Sequence, residues 1–216
     1  MLSPTSVSSS GGGRVEERYE KKKKLSDTLQ GEIVLGWDKL LNKNVIIKVA
    51  IKECVRQGIS KQNTKIPENF ENEKNIHQQI TRYLQSDIRN GHIDSSEMIG
   101  FVTCDHSWED DQCHYLQMEY CRDGDLFNYI AEFHRCRERL ASRVDNERWI
   151  HNVQFMFRQL VYATHYLHSK RIVHRDLSLE NTMMFDASCS YVKIIDFGLA
   201  VEIQQDPPVP FRGFFF

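Results

Sequence analysis

The sequence predicts an α+β fold, and three observations carry that prediction. Short β-prone runs interrupted by polar turns dominate the first 120 residues, among them 45–48, 99–102 and 115–120. One apolar series at helical spacing, Phe70, Ile76 and Ile80, interrupts those runs. A second and longer series, Ile150, Val153, Phe157, Leu160, Val161, Thr164 and Leu167, marks one buried face of a long helix in the second half.

Composition bounds the function. At 216 residues and 40% hydrophobic content the chain is long enough to bury a sizeable core in one or two domains. The net charge of -2 gives no bulk electrostatic reason to expect nucleic acid as a partner. No apolar run approaches the length of a membrane span, and Leu2 stands where N-myristoylation requires glycine. The six cysteines form no C-x-x-C pair and follow no secretory signal, which predicts free thiols and an intracellular, cytoplasmic protein. The Lys21–Lys24 run leaves a nuclear location open.

Taken in order, residues 1–18 read as a disordered tail, Ser/Gly-rich over most of its length. The Gln/Lys/Asn-rich stretch 52–67 reads as a solvated inserted loop. Trp108 to Gln112 reads as the polar turn of a hairpin whose strands are 99–102 and 115–120. Residues 134–148, rich in Arg and Glu, read as an exposed helix or insertion, and 186–190 as a turn between two strands.

The chemistry concentrates in Val173-His174-Arg175-Asp176-Leu177-Ser178-Leu179-Glu180-Asn181, followed by Ile195-Asp196-Phe197-Gly198. A carboxylate, an amide five residues on and a second carboxylate at the end of an apolar run suit a reaction that needs a hydroxyl positioned and phosphate charge neutralised, without a covalent nucleophile. The two motifs in this order resemble the catalytic loop and metal-binding motif of protein kinases. The resemblance implies a two-lobed fold, ATP and Mg2+ as cofactors and a protein substrate. It makes Asp176 the residue that orients or accepts a proton from the substrate hydroxyl, and Asn181 and Asp196 the metal ligands. Glu180-Asn181 matches the serine/threonine branch.

The same resemblance organises the rest. Tyr19 and Leu25 match the family's first strand, and Gly31 and Ile33 the last Gly and the Val of its Gly-rich loop, with Ser26 and Thr28 where two further glycines belong. Two lysines compete for the phosphates. Lys52 completes the letters V-A-I-K, but Lys48 stands 17 residues after Gly31, the usual separation, and is preferred. Its carboxylate partner is Glu73, three residues from both Phe70 and Ile76, with Glu71 as the rival. Met118, Glu119 and Cys121 resemble the hinge around adenine, with Asp125 at a ribose-contacting position and Met183 on the floor of the pocket. Ser178 replaces a lysine that contacts the γ-phosphate.

These matches imply a smaller lobe over 19–120 and part of a helical lobe over 121–216, with an antiparallel sheet and one major helix in the first. No A-P-E motif follows, so the resemblance implies a chain cut shortly after Asp196-Phe197-Gly198, poorly soluble and inactive by itself. Two functions remain open: a serine/threonine kinase, favoured by Lys48, Glu73, Asp176, Asn181 and Asp196 together, or a pseudokinase or interaction module, favoured by Ser26, Thr28 and Ser178. Oligomeric state is not legible.

Overall fold

Strand β3 (Lys43–Ile51) alternates, as a half-buried strand must, between buried Val45, Ile47 and Val49 and half-exposed Ile46 and Lys48. It sits at the centre of a five-stranded antiparallel sheet with β1 (Tyr19–Asp27), β2 (Gly31–Asp38), β4 (His106–Glu109) and β5 (Cys113–Glu119), in the order β1-β2-β3-β5-β4. The computed structural model describes residues 17–93, 100–140, 146–186 and 191–203. The expected tail lies almost wholly outside them, as do Ile99, residues 187–190 and residues 204–216.

The sheet belongs to one of two compact units, formed from residues up to 66 and from 106–119. One face is closed by Tyr19, Val34, Val45, Ile47 and Val49, on which Trp108 and Tyr115 pack. The rings of Tyr19, Trp108 and Tyr115 stack in series, with centroids 4.8 and 5.0 Å apart. β1 is an edge strand carrying four consecutive exposed lysines, which discourages pairing with another chain. The β2–β3 turn is built on Asp38. Its fully buried carboxylate accepts from the Arg18 guanidinium at 2.6 Å and from the Leu40 and Leu41 amides. Burial opposes ionisation, yet these donors hold the carboxyl below its usual range.

Two sequence expectations fail in this unit. The strand before β5 is His106–Glu109 rather than 99–102, so Trp108 and Glu109 lie in the ladder and the turn shrinks to 110–112. Asp110 explains the shift, because its carboxylate accepts from Gln112 N and Cys113 N and closes the turn there. Residues 52–66 lie mostly at the surface, as expected, but are not an irregular loop. They form a short helix α1 (Lys52–Gln57), ended by Gly58 at φ 64°, and then a turn closed around buried Ser60, whose hydroxyl accepts from Gln62 N and Thr64 N.

The second unit takes residues 67–105 and those from 120 on, so the segment 67–105, which the resemblance places in the smaller lobe, clusters here. It contains α2 (Phe70–Arg89), α3 (Leu126–Leu140), α4 (Asn146–Ser169) and three short antiparallel pairs of chain, of which β6 (Ile172–Val173) with β9 (Val201–Glu202) and β7 (Thr182–Asp186) with β8 (Tyr191–Ile194) are strand pairs. Asn69 caps α2, its side chain accepting from Asn72 N at 3.1 Å. Ile76, Ile80 and Leu84 of α2 meet Ala163 and Leu167 of α4, with Phe101, Ile172, Ile194 and Phe197 completing the core. Each such side chain contributes about 1.5–3 kcal/mol on burial.

The buried face of α4 is Met156, Ala163 and Leu167, with Leu160 half-buried. Ile150, Val153, Phe157 and Val161, expected on that face, are exposed. Gly100 packs against the buried side, where a Cβ would lie 2.7 Å from Ala163 Cβ, so the close approach requires small residues on both partners. Two residues after the end of α4 comes Arg171, left-handed at φ 61° at a position where glycine is usual. Arg171→Val is expected to lose about 1–2 kcal/mol of stability and Arg171→Gly essentially none, read by urea unfolding; equal losses would remove strain as the cause.

Candidate active site

His174 anchors the loop that carries the first motif. It is buried, its Nε2 lies 3.0 Å from Ile195 O, and its Nδ1 accepts from Asp176 N at 3.3 Å. The two contacts together require the Nε2-protonated tautomer, donating to Ile195. Burial pushes its pKa below the ordinary histidine value, against the opposing pull of the Ile195 carbonyl and the Asp196 and Asp176 carboxylates, so the ring is neutral near pH 7.

From that anchor the chain turns sharply. Arg175 is left-handed at φ 67°, and its Nε donates to Leu199 O at 2.6 Å. Asp176 emerges exposed, and Asn181 Nδ2 donates to both its Oδ2, at 2.8 Å, and its main-chain carbonyl, at 3.0 Å. Ser178 holds the intervening turn. Its hydroxyl accepts from Asn181 N, and its carbonyl accepts from Thr182 Oγ1. The residue that replaces the family's lysine therefore has a local structural task.

The second motif is tied to the first through main chain, since Ile195 N donates to Asn181 O at 3.0 Å. Asp196 follows in the left-handed region at φ 61°, with its Oδ1 accepting from Gly198 N. Phe197 is fully buried between two histidine rings, His174 at 5.0 Å and His77 of α2 at 5.1 Å between centroids. His77 Nε2 is in turn bound to Val102 O. Asn72 Nδ2 donates to Ala200 O at 2.8 Å, so α2 grips the motif at two places.

Glu73 lies one turn before His77 and is buried at 3% exposure, whereas Glu71 pairs on the surface with Lys74. Asp125 forms a bridge with Met183, and both its carboxylate oxygens accept from Asn128 at the start of α3, one from the amide nitrogen and one from the side chain. Cys121 is buried nearby in sequence.

The first unit carries the remaining expected residues. Ile33, Lys48 and Leu116 are cross-strand partners, and Met118 pairs with Ile46, so Ile33, Lys48 and Met118 share one face of the sheet. Glu119, opposite Val45, belongs to the other face. Lys52 opens α1 and pairs with Glu109 at 3.5 Å. Gly31 is needed for closeness, because a Cβ would lie 1.9 Å from Val49 O. Neither Ser26 nor Thr28 has a positive φ, so the β1–β2 turn does not use the conformations that glycine alone would permit. The sequence reading missed Gln30, Lys61 and His77, of which the first two hold this turn and the third holds Phe197.

Asn181 and Asp196 offer hard oxygen donors: with its Nδ2 committed to Asp176, Asn181 retains its amide oxygen as an acceptor. No cluster of three or more His, Cys, Asp or Glu side chains suited to a metal occurs among the described residues. A set of one carboxylate and one amide fits Mg2+, which keeps several waters and shares phosphate oxygens, better than a cation needing a full protein cage. No helix among the described residues is long and apolar enough to cross a membrane.

Comparison with known proteins agrees with these features. The family model described as "Protein kinase domain" matches residues 19–213. NUAK family SNF1-like kinase 1 of Mus musculus is 27% identical over 192 residues, covering 89% of this chain and 24% of that protein. NUAK family SNF1-like kinase 2 of Homo sapiens is 45% identical over 85 residues, 39% of this chain and 11% of its own. Serine/threonine-protein kinase SBK1 of Danio rerio is 37% identical over 93 residues, 43% of this chain and 21% of its own. The chain thus spans a quarter or less of the length of these relatives.

Proposed function

Because the chain belongs to the protein kinase family, we propose that the protein carrying it is a serine/threonine kinase that transfers the γ-phosphoryl group of ATP to hydroxyls of protein substrates. The observation that carries this reading is the doubly bonded Asn181–Asp176 pair, which fixes an exposed carboxylate beside an amide oxygen donor. Asp176 orients the substrate hydroxyl and takes its proton. Asn181 holds Asp176 through its amide nitrogen and, with Asp196, holds Mg2+, which when bound neutralises charge on the nucleotide phosphates. In this reading Lys48, on the half-buried face of β3, serves the phosphates, and buried Glu73 has the role that the family gives the matching carboxylate. Ile33, Met118 and Glu119 in the first unit, and Cys121, Asp125 and Met183 in the second, each stand at a position that the family uses for adenine or ribose.

A nucleotide-binding module without catalysis is the second reading. Thr28, Ser26 and Ser178 favour it, since each stands where a kinase usually has a phosphate-contacting glycine or lysine. Thermal unfolding with ATP, with and without Mg2+, tests the metal ligands directly. Stabilisation is expected to be larger with Mg2+, by about 1–3 kcal/mol at saturating nucleotide, and equal stabilisation would remove Asn181 and Asp196 as metal ligands. Transfer of labelled phosphate to a generic basic protein decides between kinase and module.

A further inference from the structure

The segment after β3 does more than connect. Lys61 reaches back to the β1–β2 turn, where its Nζ donates to Gly31 O at 2.9 Å and forms an ion pair with Asp27. Its main-chain N–H donates to Leu29 O at 2.7 Å. Gln30, almost wholly buried, donates its side-chain amide to Cys54 O and Ile59 O, and its carbonyl accepts from Ile51 N. Every residue from 29 to 31 is therefore fastened to the end of β3 or to the segment that follows it. The segment is itself ordered enough to hold something, since Ser60, Asn63 at φ 61° and a bridge between Ile59 and Lys65 close it into a tight hairpin.

The same turn carries a carboxylate. Asp27 sits beside the stretch that the phosphates approach in the reading above, and an unscreened negative charge there opposes a triphosphate. Lys61 and then Lys24 hydrogen-bond to it and hold its carboxyl below the usual range, so two cations stand against its charge.

We propose that Lys61 is a positioning residue for the phosphate end of the nucleotide: it pins the β1–β2 turn through Gly31 and neutralises Asp27 beside it. In place of a flexible glycine loop, this chain has a turn of ordinary backbone conformation strapped from outside. The proposal rests on the reading that this sheet binds nucleotide.

The test is calorimetric binding of Mg-ATP and of adenosine, which lacks phosphates, to the wild type, Lys61→Met, Asp27→Asn and the double variant, with the unfolding midpoint of each. Lys61→Met is expected to weaken Mg-ATP by about tenfold while adenosine changes by less than about twofold. Adding Asp27→Asn is expected to recover most of the loss, because the uncompensated charge is gone. If Lys61→Met weakens both ligands equally, or changes neither, the residue serves folding alone and the proposal is overturned. Failure of the double variant to recover any affinity overturns the electrostatic part. A wild type that binds neither ligand would instead refute the nucleotide site itself, and the proposal with it.

Discussion

Asp176→Asn is expected to lower kcat for phosphorylation of a generic basic protein by about 10²–10⁴-fold, with Mg-ATP affinity changed by less than about threefold. Asn keeps the size and one acceptor oxygen, so the Asn181 contact at 2.8 Å and the His174 contact to the main chain survive the change. What disappears is the basicity of the exposed carboxylate that Asn181 holds in place. Steady-state turnover beside calorimetric nucleotide binding reads both quantities. Turnover above about a tenth of wild type would take the proton-accepting role away from Asp176.

Lys48→Ala is expected to weaken nucleotide binding by about 10–100-fold, corresponding to about 1.4–2.7 kcal/mol for a charge-assisted phosphate contact. Lys52→Ala is expected to leave it within about twofold. Lys48 is half-buried on the sheet face shared with Ile33 and Met118. Lys52 has left the strand and stands against Glu109, and a surface pair of that kind is worth about 0–1 kcal/mol. Calorimetry on the two variants separates them, and a larger loss for Lys52→Ala would reverse the assignment.

The α+β class and the two motifs were legible because their chemistry is local: the Asp176–Asn181 bond spans five residues, and a tight loop can be read from its own letters. Helix α2 was legible because a polar surface flanks a single apolar row. Other features depend on distant partners. The apolar arc of α4 is wide enough to place either Met156, Ala163 and Leu167 or Ile150, Val153, Phe157 and Val161 inward, and the choice lies with partners distant in sequence, Gly100 against Ala163 among them. Residues 52–66 stay largely at the surface, but their main-chain carbonyls and Lys61 bond to the β1–β2 turn, contacts with distant residues that composition alone does not show. V-A-I-K shows the same dependence, since its lysine, Lys52, opens α1 while Lys48, the preferred candidate, lies in the ladder opposite Ile33.

The ring of Phe197 lies against two histidines that are each moored to a carbonyl, His174 to Ile195 and His77 to Val102. Departure of that ring would strip contact from both and expose an apolar hollow lined by α2 and α4 residues, so the segment should leave its seat rarely and return quickly. The clock for that event is the slow, collective kind, microseconds or longer, rather than the picosecond wagging of a surface loop. Any partner, modification or inhibitor that acts by displacing Phe197 must then wait for an excursion that the fold itself schedules, and its apparent association rate would level off at that opening rate however much of it is added.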